Sequence, residues 1–323
     1  MNSRQRFRAT LQNEKPDRIP YLEEGIREDV INAWRIEGFP PDTGLVQFFD
    51  LDPRVEIEPE LDPLPYETHW PNNCVDLTEF RQHLNPDDPR RLPVDWVELK
   101  NSWRNRDRIL ILRVHRGFFL SLGVDDWQRF SQVMFLIKDN PFFIQELLKL
   151  QAELAAQVAD RILQQIGVDA ALFSEPISAN HGPLISPKMY REMVLASYQP
   201  LLRVLEKHQI SAIILRTYAN SRQLLPEIVK AGFNCLWAVE CPQNDMDYRS
   251  IRAEYGQQLR LIGGINVNVL REGEKAIRQE VEEKVPELMS SGGYIPLLNG
   301  RVRAGVSFRN YRYYRHILKQ VTL

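Results

Sequence analysis

The sequence predicts an α/β protein whose parallel strands close into a (β/α)8 TIM barrel with an N-terminal Pro-rich insertion, and three observations predict it. Short, almost wholly apolar runs recur at Ala170–Phe173, Ala212–Leu215, Cys235–Val239, Leu259–Ile262 and Tyr294–Leu298, as expected of strands buried on both faces. Helical segments separate them at Pro187–Lys207, Ser221–Ala231, Asp247–Tyr255 and Glu272–Ser290, so strand and helix alternate. No GxGxxG or GxxxxGK(S/T) opens any of these helices. That removes the phosphate-cradling loop that a doubly wound open sheet usually carries, and leaves closure into a barrel as the better reading.

Taken in order, the chain begins with a helix over Ser3–Asn13, where Phe7, Ala9 and Leu11 supply a weak apolar face and Pro16 stops it. A strand over Arg18–Glu24 follows. From Phe39 to about Leu99 the chain is rich in Pro, Asp and Glu, with PPDTG, DLDPRVEIEPELDPLP and NPDDPRRLP reading as turns and short extended pieces. Val55, Ile57, Leu61, Tyr66, Trp70 and Trp96 are interleaved there, which makes residues 39–99 an ordered cap within one domain spanning 1–323. Arg108–His115 then reads as a buried strand and Asn140–Gln165 as a long helix.

Composition narrows the function classes. With 323 residues, 43% hydrophobic and 26% charged, the chain can bury a large core, and no apolar run approaches the roughly 20 residues of a membrane span. The N-terminal stretch is basic and polar without the apolar segment of a secretory signal, so a soluble, cytoplasmic protein is expected. Cys74, Cys235 and Cys241 form an odd set without CxxC, which fits a reducing compartment. A net charge of -2 with interspersed signs gives no electrostatic case for nucleic acid or an anionic membrane.

In such a barrel the chemistry sits where the strands end, because there the chain leaves the packed interior and the loops converge. Those ends carry Glu24, His115 with Arg116, Glu175, Arg216 with Tyr218 and Asn220, Glu240, Asn266 with Asn268, and Asn299 with Arg301. A ring of carboxylates, guanidiniums and amides suits a small polar or anionic substrate and acid/base work. Each member also has a plainer reading. Glu24 is either a site carboxylate or a partner of Arg27, and Glu175 either an acid/base group or half of an ion pair. His181, in Ser178–Pro183, is either a proton shuttle or a turn residue. His115, ending an apolar strand, reads as a core imidazole. Arg216 is either a substrate clamp or the partner of Glu175 or Glu240, with the internal pair favoured. Arg301 and Arg303 flank Val302 and either line the site or are solvated; Cys235 and Cys241 read as core and strand-end thiols.

Several segments, in order, resemble the uroporphyrinogen decarboxylase superfamily, which includes the cobalamin-related methyltransferases. They are SRQRFRATLQNEKPDRIPY, GVDAALFSEPISANHGPLISPKMYREMVLASYQPLLRVLEKH, LRLIGGINVNVL, GGYIPLLNGRV and SFRNYRYYRHILK. Most of residues 1–38 and 108–320 are covered, and the Pro-rich stretch is not. The resemblance implies a (β/α)8 barrel with a cleft at the strand ends, often dimeric. Its decarboxylase branch implies cofactor-free loss of CO2 from pyrrole acetates, with arginines holding the substrate acids. Its methyltransferase branch implies a zinc-activated thiol that accepts a methyl group from a corrinoid.

This sequence departs from both patterns. Tyr21–Arg27 offers glutamates and a single arginine where paired arginines are expected, Asn299-Gly300-Arg301 stands where a Gly-His loop would, and Asn266 replaces an aspartate. Arg216-Thr217-Tyr218 stands where the methyltransferases carry His-x-Cys, and neither guanidinium nor phenol replaces imidazole and thiolate on tetrahedral zinc.

The expectation is therefore an enzyme acting on a small carboxylated or tetrapyrrole-like molecule by acid/base chemistry, decarboxylation favoured. Glu175, Glu24 and His181 would be catalytic; Arg27, Arg216, Tyr218, Asn220, Glu240, Asn266, Asn299 and Arg301 would bind substrate. No metal and no cofactor are expected. The alternatives are a corrinoid-linked methyltransferase working with a corrinoid protein but without zinc, and a non-catalytic ligand-binding barrel. A homodimer remains open.

Overall fold

The computed structural model describes residues 1–66, 68–242 and 244–322. The chain divides into two compact units: a mid-chain unit of Glu56–Arg106 and Leu110–Phe233, and a terminal unit of Met1–Val55, Asp107–Ile109 and the chain from Asn234 onward. Each has the same grammar of parallel strands joined through helices.

In the mid-chain unit the strands Ile109–His115, Ala170–Glu175 and Ile213–Tyr218 lie side by side and parallel, with Leu112 opposite Ala171 and Phe173 opposite Leu215. Every residue of Ala170–Glu175 is buried, which is why this strand reads as a continuous apolar run and not as an alternating one. The helix Pro141–Leu163 starts where the sequence places it. The Asn140 side chain accepts from the Phe143 N–H at 3.2 Å, and Pro141 occupies a first-turn position that needs no donor. Ile144, Leu147, Leu148, Ala152, Ala155, Val158, Ala159 and Ile162 then bury one face at helical spacing.

The stretch predicted as a single helix, Pro187–Lys207, is instead Pro187–Met189, a π-helical turn over Tyr190–Leu195 and a helix over Gln199–Lys207 that carries Pro200 in its first turn. Pro200 has no N–H to continue the ladder behind it, and the apolar pattern at 3.6 spacing does not register the wider turn.

Part of the Pro-rich stretch lies in this unit, and it is held by arginines. Proline lacks a backbone donor, so carbonyls in a Pro-rich meander have few main-chain partners. Arg91, with no exposed surface, donates to the carbonyls of Asn85 at 3.1 Å, Glu60 at 3.3 Å, His83 at 2.9 Å and also Asp62. Arg129 likewise serves Leu122 and Pro71, both at 3.0 Å, and the Asn72 side chain at 2.6 Å. The stretch also contains a short strand, Arg54–Ile57, and a helix, Trp96–Trp103.

In the terminal unit the parallel strands are Cys235–Val239, Arg260–Ile265 and Tyr294–Leu298, with Leu236 opposite Leu261 and Ile262 opposite Ile295. The helices Tyr248–Tyr255, Glu274–Ser290 and Phe308–Thr322 accompany them. Tyr248 locks the first of these onto the sheet: its hydroxyl donates to the Ile262 carbonyl at 2.7 Å and accepts the Ala238 N–H at 2.9 Å. Gly264 makes room for that ring, since a Cβ there would lie 2.6 Å from it and φ is +87°.

Two expectations are corrected here. The predicted strand Arg18–Glu24 forms no ladder; its Tyr21 N–H and C=O are taken by the side chain and N–H of Asp52 at 2.7 and 2.8 Å, and Pro20 has no N–H to offer. The only strand-like pairing nearby, among the described residues, is a single parallel bridge between Ile26 and Val302. The predicted helix Glu272–Ser290 is broken at Gly273, where φ is +99°.

Candidate functional site

At the ends of the terminal unit's three strands the structure opens a cavity of about 290 Å³, lined by Glu240, Cys241, Val267, Asn268, Arg271, Asn299, Gly300, Arg301, Arg303 and Val306. Three guanidiniums and one carboxylate surround it. Arg301 and Arg303 are brought together by Val302, which is fully buried and bridged to Ile26, so its two neighbours in this extended segment project together on the other side. Arg303 pairs with Glu240, and Arg271 donates to the Ala304 carbonyl at 2.7 Å. Arg301, exposed at the rim, has no carboxylate partner among the described residues.

Glu240 directly follows its strand with φ +50°, in the left-handed region that non-glycine residues seldom occupy. Its N–H donates to the Asn299 carbonyl at 2.5 Å. Asn299 is buried, and its side chain is spent on backbone: Oδ1 accepts the Val267 N–H at 3.0 Å and Nδ2 donates to the Cys241 carbonyl at 3.4 Å. Asn266 forms an Asx turn, accepting the Asn268 N–H at 3.0 Å. Burial pushes the Cys241 thiol above its ordinary pKa, so it is held neutral.

A second polar cluster belongs to the mid-chain unit and is closed to solvent. Glu175 is completely buried; one oxygen accepts from the Tyr198 hydroxyl and the other from the Phe118 N–H at 2.9 Å. Burial pushes its carboxyl up to about 7 against these two bonds, which pull the other way. Gly117 is required beside it: a Cβ there would fall 2.5 Å from the Ser174 carbonyl, and φ is +104°. His115 packs on the Tyr198 ring at 4.4 Å, accepts the Gly117 N–H on Nδ1 at 2.9 Å, and is pushed down to about 3 by burial, with Arg116 adding to the shift. It is the core imidazole the sequence predicts. The Tyr190 hydroxyl, on the π-helical turn, is buried without a hydrogen-bond partner among the described residues.

The arginine predicted to pair with Glu175 or Glu240 does neither. Arg216 pairs with Glu56 at 2.6 and 3.3 Å, a carboxylate supplied by the Arg54–Ile57 strand; Glu56 also lies 4.0 Å from Arg113. Glu58 pairs with Arg113 at 2.5 Å and Asp62 with Arg116. The acidic run 56–62 thus answers the arginines of two strands.

The other expected residues distribute as follows. Tyr218 and Asn220 are half-buried in the mid-chain unit, and the Asn220 N–H donates to the Ala179 carbonyl at 3.1 Å. His181 is exposed at the tip of the two-residue hairpin between Ser178–Ala179 and Gly182–Pro183. Glu24 is half-buried, and Arg27 is exposed and pairs with Asp29 at 3.4 Å. Glu240, Asn299 and Arg301 come together around one cavity; Arg271, Tyr198, Tyr190 and Glu56 were not anticipated. Arg271 lies one helical turn beyond its strand, and the tyrosines read as ordinary helix-face apolars, so no local signal marks them.

Among the described residues no three His, Cys, Asp or Glu side chains converge as a metal-ligand set, and no helix is long and apolar enough to cross a membrane. The zinc pattern of the methyltransferase branch does not fit the residues present, since Arg216 is committed to Glu56 and Thr217 is buried.

Comparison with known proteins bears on the fold and the family. The structure is similar to a methyltransferase from Methanosarcina mazei, at 15% identity and TM-score 0.65, covering 99% of each chain. It is also similar to a Listeria monocytogenes protein described as a vitamin-B12-independent methionine synthase, at 9% identity and TM-score 0.44, covering 93% of this chain and 95% of that one. No curated protein matches by sequence. The first likeness shows an α/β, TIM-barrel-like fold. The profile of the uroporphyrinogen decarboxylase (URO-D) family matches residues 126–319, more than half of the chain. The chain belongs to the uroporphyrinogen decarboxylase family.

Proposed function

We propose that this chain is an enzyme that binds a small carboxylated molecule in the cavity of Glu240, Arg271, Asn299, Arg301 and Arg303 and acts on it by acid/base chemistry, with loss of CO2 as the favoured reaction. The observation that carries this reading is the excess of guanidinium over carboxylate around one cavity at the strand ends, with Arg301 unanswered by any described carboxylate. A guanidinium fork holds a carboxylate bidentately, and Arg301 is placed to do so. A substrate that carries a second carboxylate competes with Glu240 for Arg303.

In decarboxylation the bond between the α-carbon and the carboxylate breaks, CO2 leaves, and the electron pair stays on carbon until a proton arrives. Water in this open cavity, oriented by the Glu240 carboxylate, supplies that proton, and bulk solvent neutralises the hydroxide left behind. The substrate must itself delocalise the pair. Glu175, with both oxygens engaged and no exposed surface, serves in this reading as a buried brace and not as the acid/base group.

The test is incubation with a panel of di- and tricarboxylates and with uroporphyrinogen, followed by mass spectrometry for loss of CO2. With a substrate in hand, Arg301→Gln is expected to raise KM about 10- to 100-fold with little change in kcat, as loss of one charge-assisted clamp does. Glu240→Gln is expected to lower kcat. Methyl transfer from methylcobalamin to a thiol would instead favour the corrinoid-linked alternative. Ligand binding without turnover of anything in the panel would favour the non-catalytic one.

A further inference from the structure

One buried residue in the lining of the cavity spends its side chain on the backbone around it. Asn299 follows the Tyr294–Leu298 strand and bonds to the ends of the unit's other two strands, Arg260–Ile265 beside it and Cys235–Val239 beyond. Its N–H donates to the Ile265 carbonyl at 2.8 Å and its C=O accepts the Glu240 N–H at 2.5 Å. Its Oδ1 accepts the Val267 N–H at 3.0 Å, and its Nδ2 donates to the Cys241 carbonyl at 3.4 Å. Every backbone and amide function of this residue is engaged, and it is 5% exposed. Its contacts bracket Glu240, the residue at φ +50°. A left-handed glutamate persists only where its surroundings over-determine it, and Asn299 holds both the Glu240 N–H and the carbonyl of the next residue.

We propose that Asn299 is a positioning residue. By clamping Glu240 and Cys241 on one side and Val267 on the other, it fixes the left-handed backbone that aims the Glu240 carboxylate at Arg303 and keeps the anion cavity open. This rests on the reading of that cavity as an anion site. Amide chemistry is needed because the side chain must accept from one neighbour and donate to the other at once, which neither a carboxylate nor an aliphatic group can do.

Asn299→Asp tests it with almost no change in shape. Ionised, the aspartate still accepts the Val267 N–H but repels the Cys241 carbonyl; protonated, it regains a donor for that carbonyl. Burial raises the pKa of such a carboxyl, so the variant switches between about pH 5 and about pH 8. Hydrogen exchange of single amides is read by NMR at both values, as protection relative to the unfolded chain. Binding of sulfate, whose charge is constant over the range, is measured alongside.

At the higher pH the Glu240 amide is expected to lose at least about tenfold in protection while the Val267 amide keeps its own, and sulfate binding weakens about tenfold. Both return at the lower pH. General destabilisation would deprotect the two amides together, and that result overturns the proposal. So does weaker sulfate binding with an unchanged Glu240 amide, which would mean charge repulsion alone. A wild-type protein that binds no sulfate, in which the Glu240 amide of the variant still switches with pH, would sink the anion-site reading and leave the positioning role standing.

Discussion

Glu175 and His115 flank the same tyrosine, and burial moves them in opposite directions. The Glu175 carboxyl keeps its proton up to about 7 in the folded chain, against an ordinary value of 4.5. Its contribution to stability is full below 4.5 and is lost as pH rises through about 7. His115 stays neutral down to about 3 when folded, against an ordinary 6.5, so its contribution is full above 6.5 and is lost as pH falls. Between those ordinary values the two slopes oppose one another. Glu175→Gln removes the Glu175 loss alone: in urea unfolding the wild type should lose stability relative to the variant as pH rises from about 4.5 to about 7, by on the order of 1–3 kcal/mol. Superimposable pH profiles would refute the buried-carboxyl account. Strand-end position made Glu175 legible in the sequence, because a carboxylate after a fully apolar run has few other reasons to be there. The partner of Arg216 was not legible, since Glu56 lies 160 positions away in a stretch whose carboxylates all look solvated. Asn299 was legible as a position and not as a role, which depends on three backbone groups that only the folded chain brings within reach.

Elements were legible where burial on both faces writes one long apolar word. Cys235–Val239 and Tyr294–Leu298 are found at the predicted bounds, and Ile109–His115 within a residue. Elements went unread where their hydrogen bonds are made by side chains. The extended stretch around Tyr21 gives its N–H to Asp52, and the Pro-rich stretch gives its carbonyls to Arg91. The Arg91 case makes a prediction about that element. Its guanidinium serves four carbonyls from one buried position, and a lysine, with three donors on a flexible stem, cannot reproduce the fork. Arg91→Lys should destabilise the protein by about 2–4 kcal/mol in urea unfolding, because buried carbonyls are left without donors. Proteolytic cleavage within residues 56–92 should rise with it. A variant as stable as the wild type would show that these carbonyls find water instead.

For the whole molecule, the alternative that a resident zinc ion runs the chemistry can be argued from the three thiols. A thiol binds zinc as thiolate, so a ligand cysteine must give up its proton. Burial pushes the Cys235 thiol up to about 12 and raises that of Cys241, while Cys74 stands exposed elsewhere on the chain. The Cys235 side chain is buried, and the Cys241 sulfur meets the Asn299 amide at 3.9 Å and, among the described residues, no imidazole. Two thiols held neutral, with no converging carboxylate or imidazole among the described residues, do not make a tetrahedral donor set. Exhaustive dialysis against a strong chelator should therefore leave the unfolding midpoint within about 1 °C of the untreated protein, where losing a structural zinc ion, worth on the order of 10 kcal/mol, would lower it by far more. Any turnover found with carboxylated substrates should survive the same treatment. Stoichiometric zinc in the purified protein, or activity restored only by adding zinc back, would transfer the chemistry from the guanidinium-lined cavity to a metal.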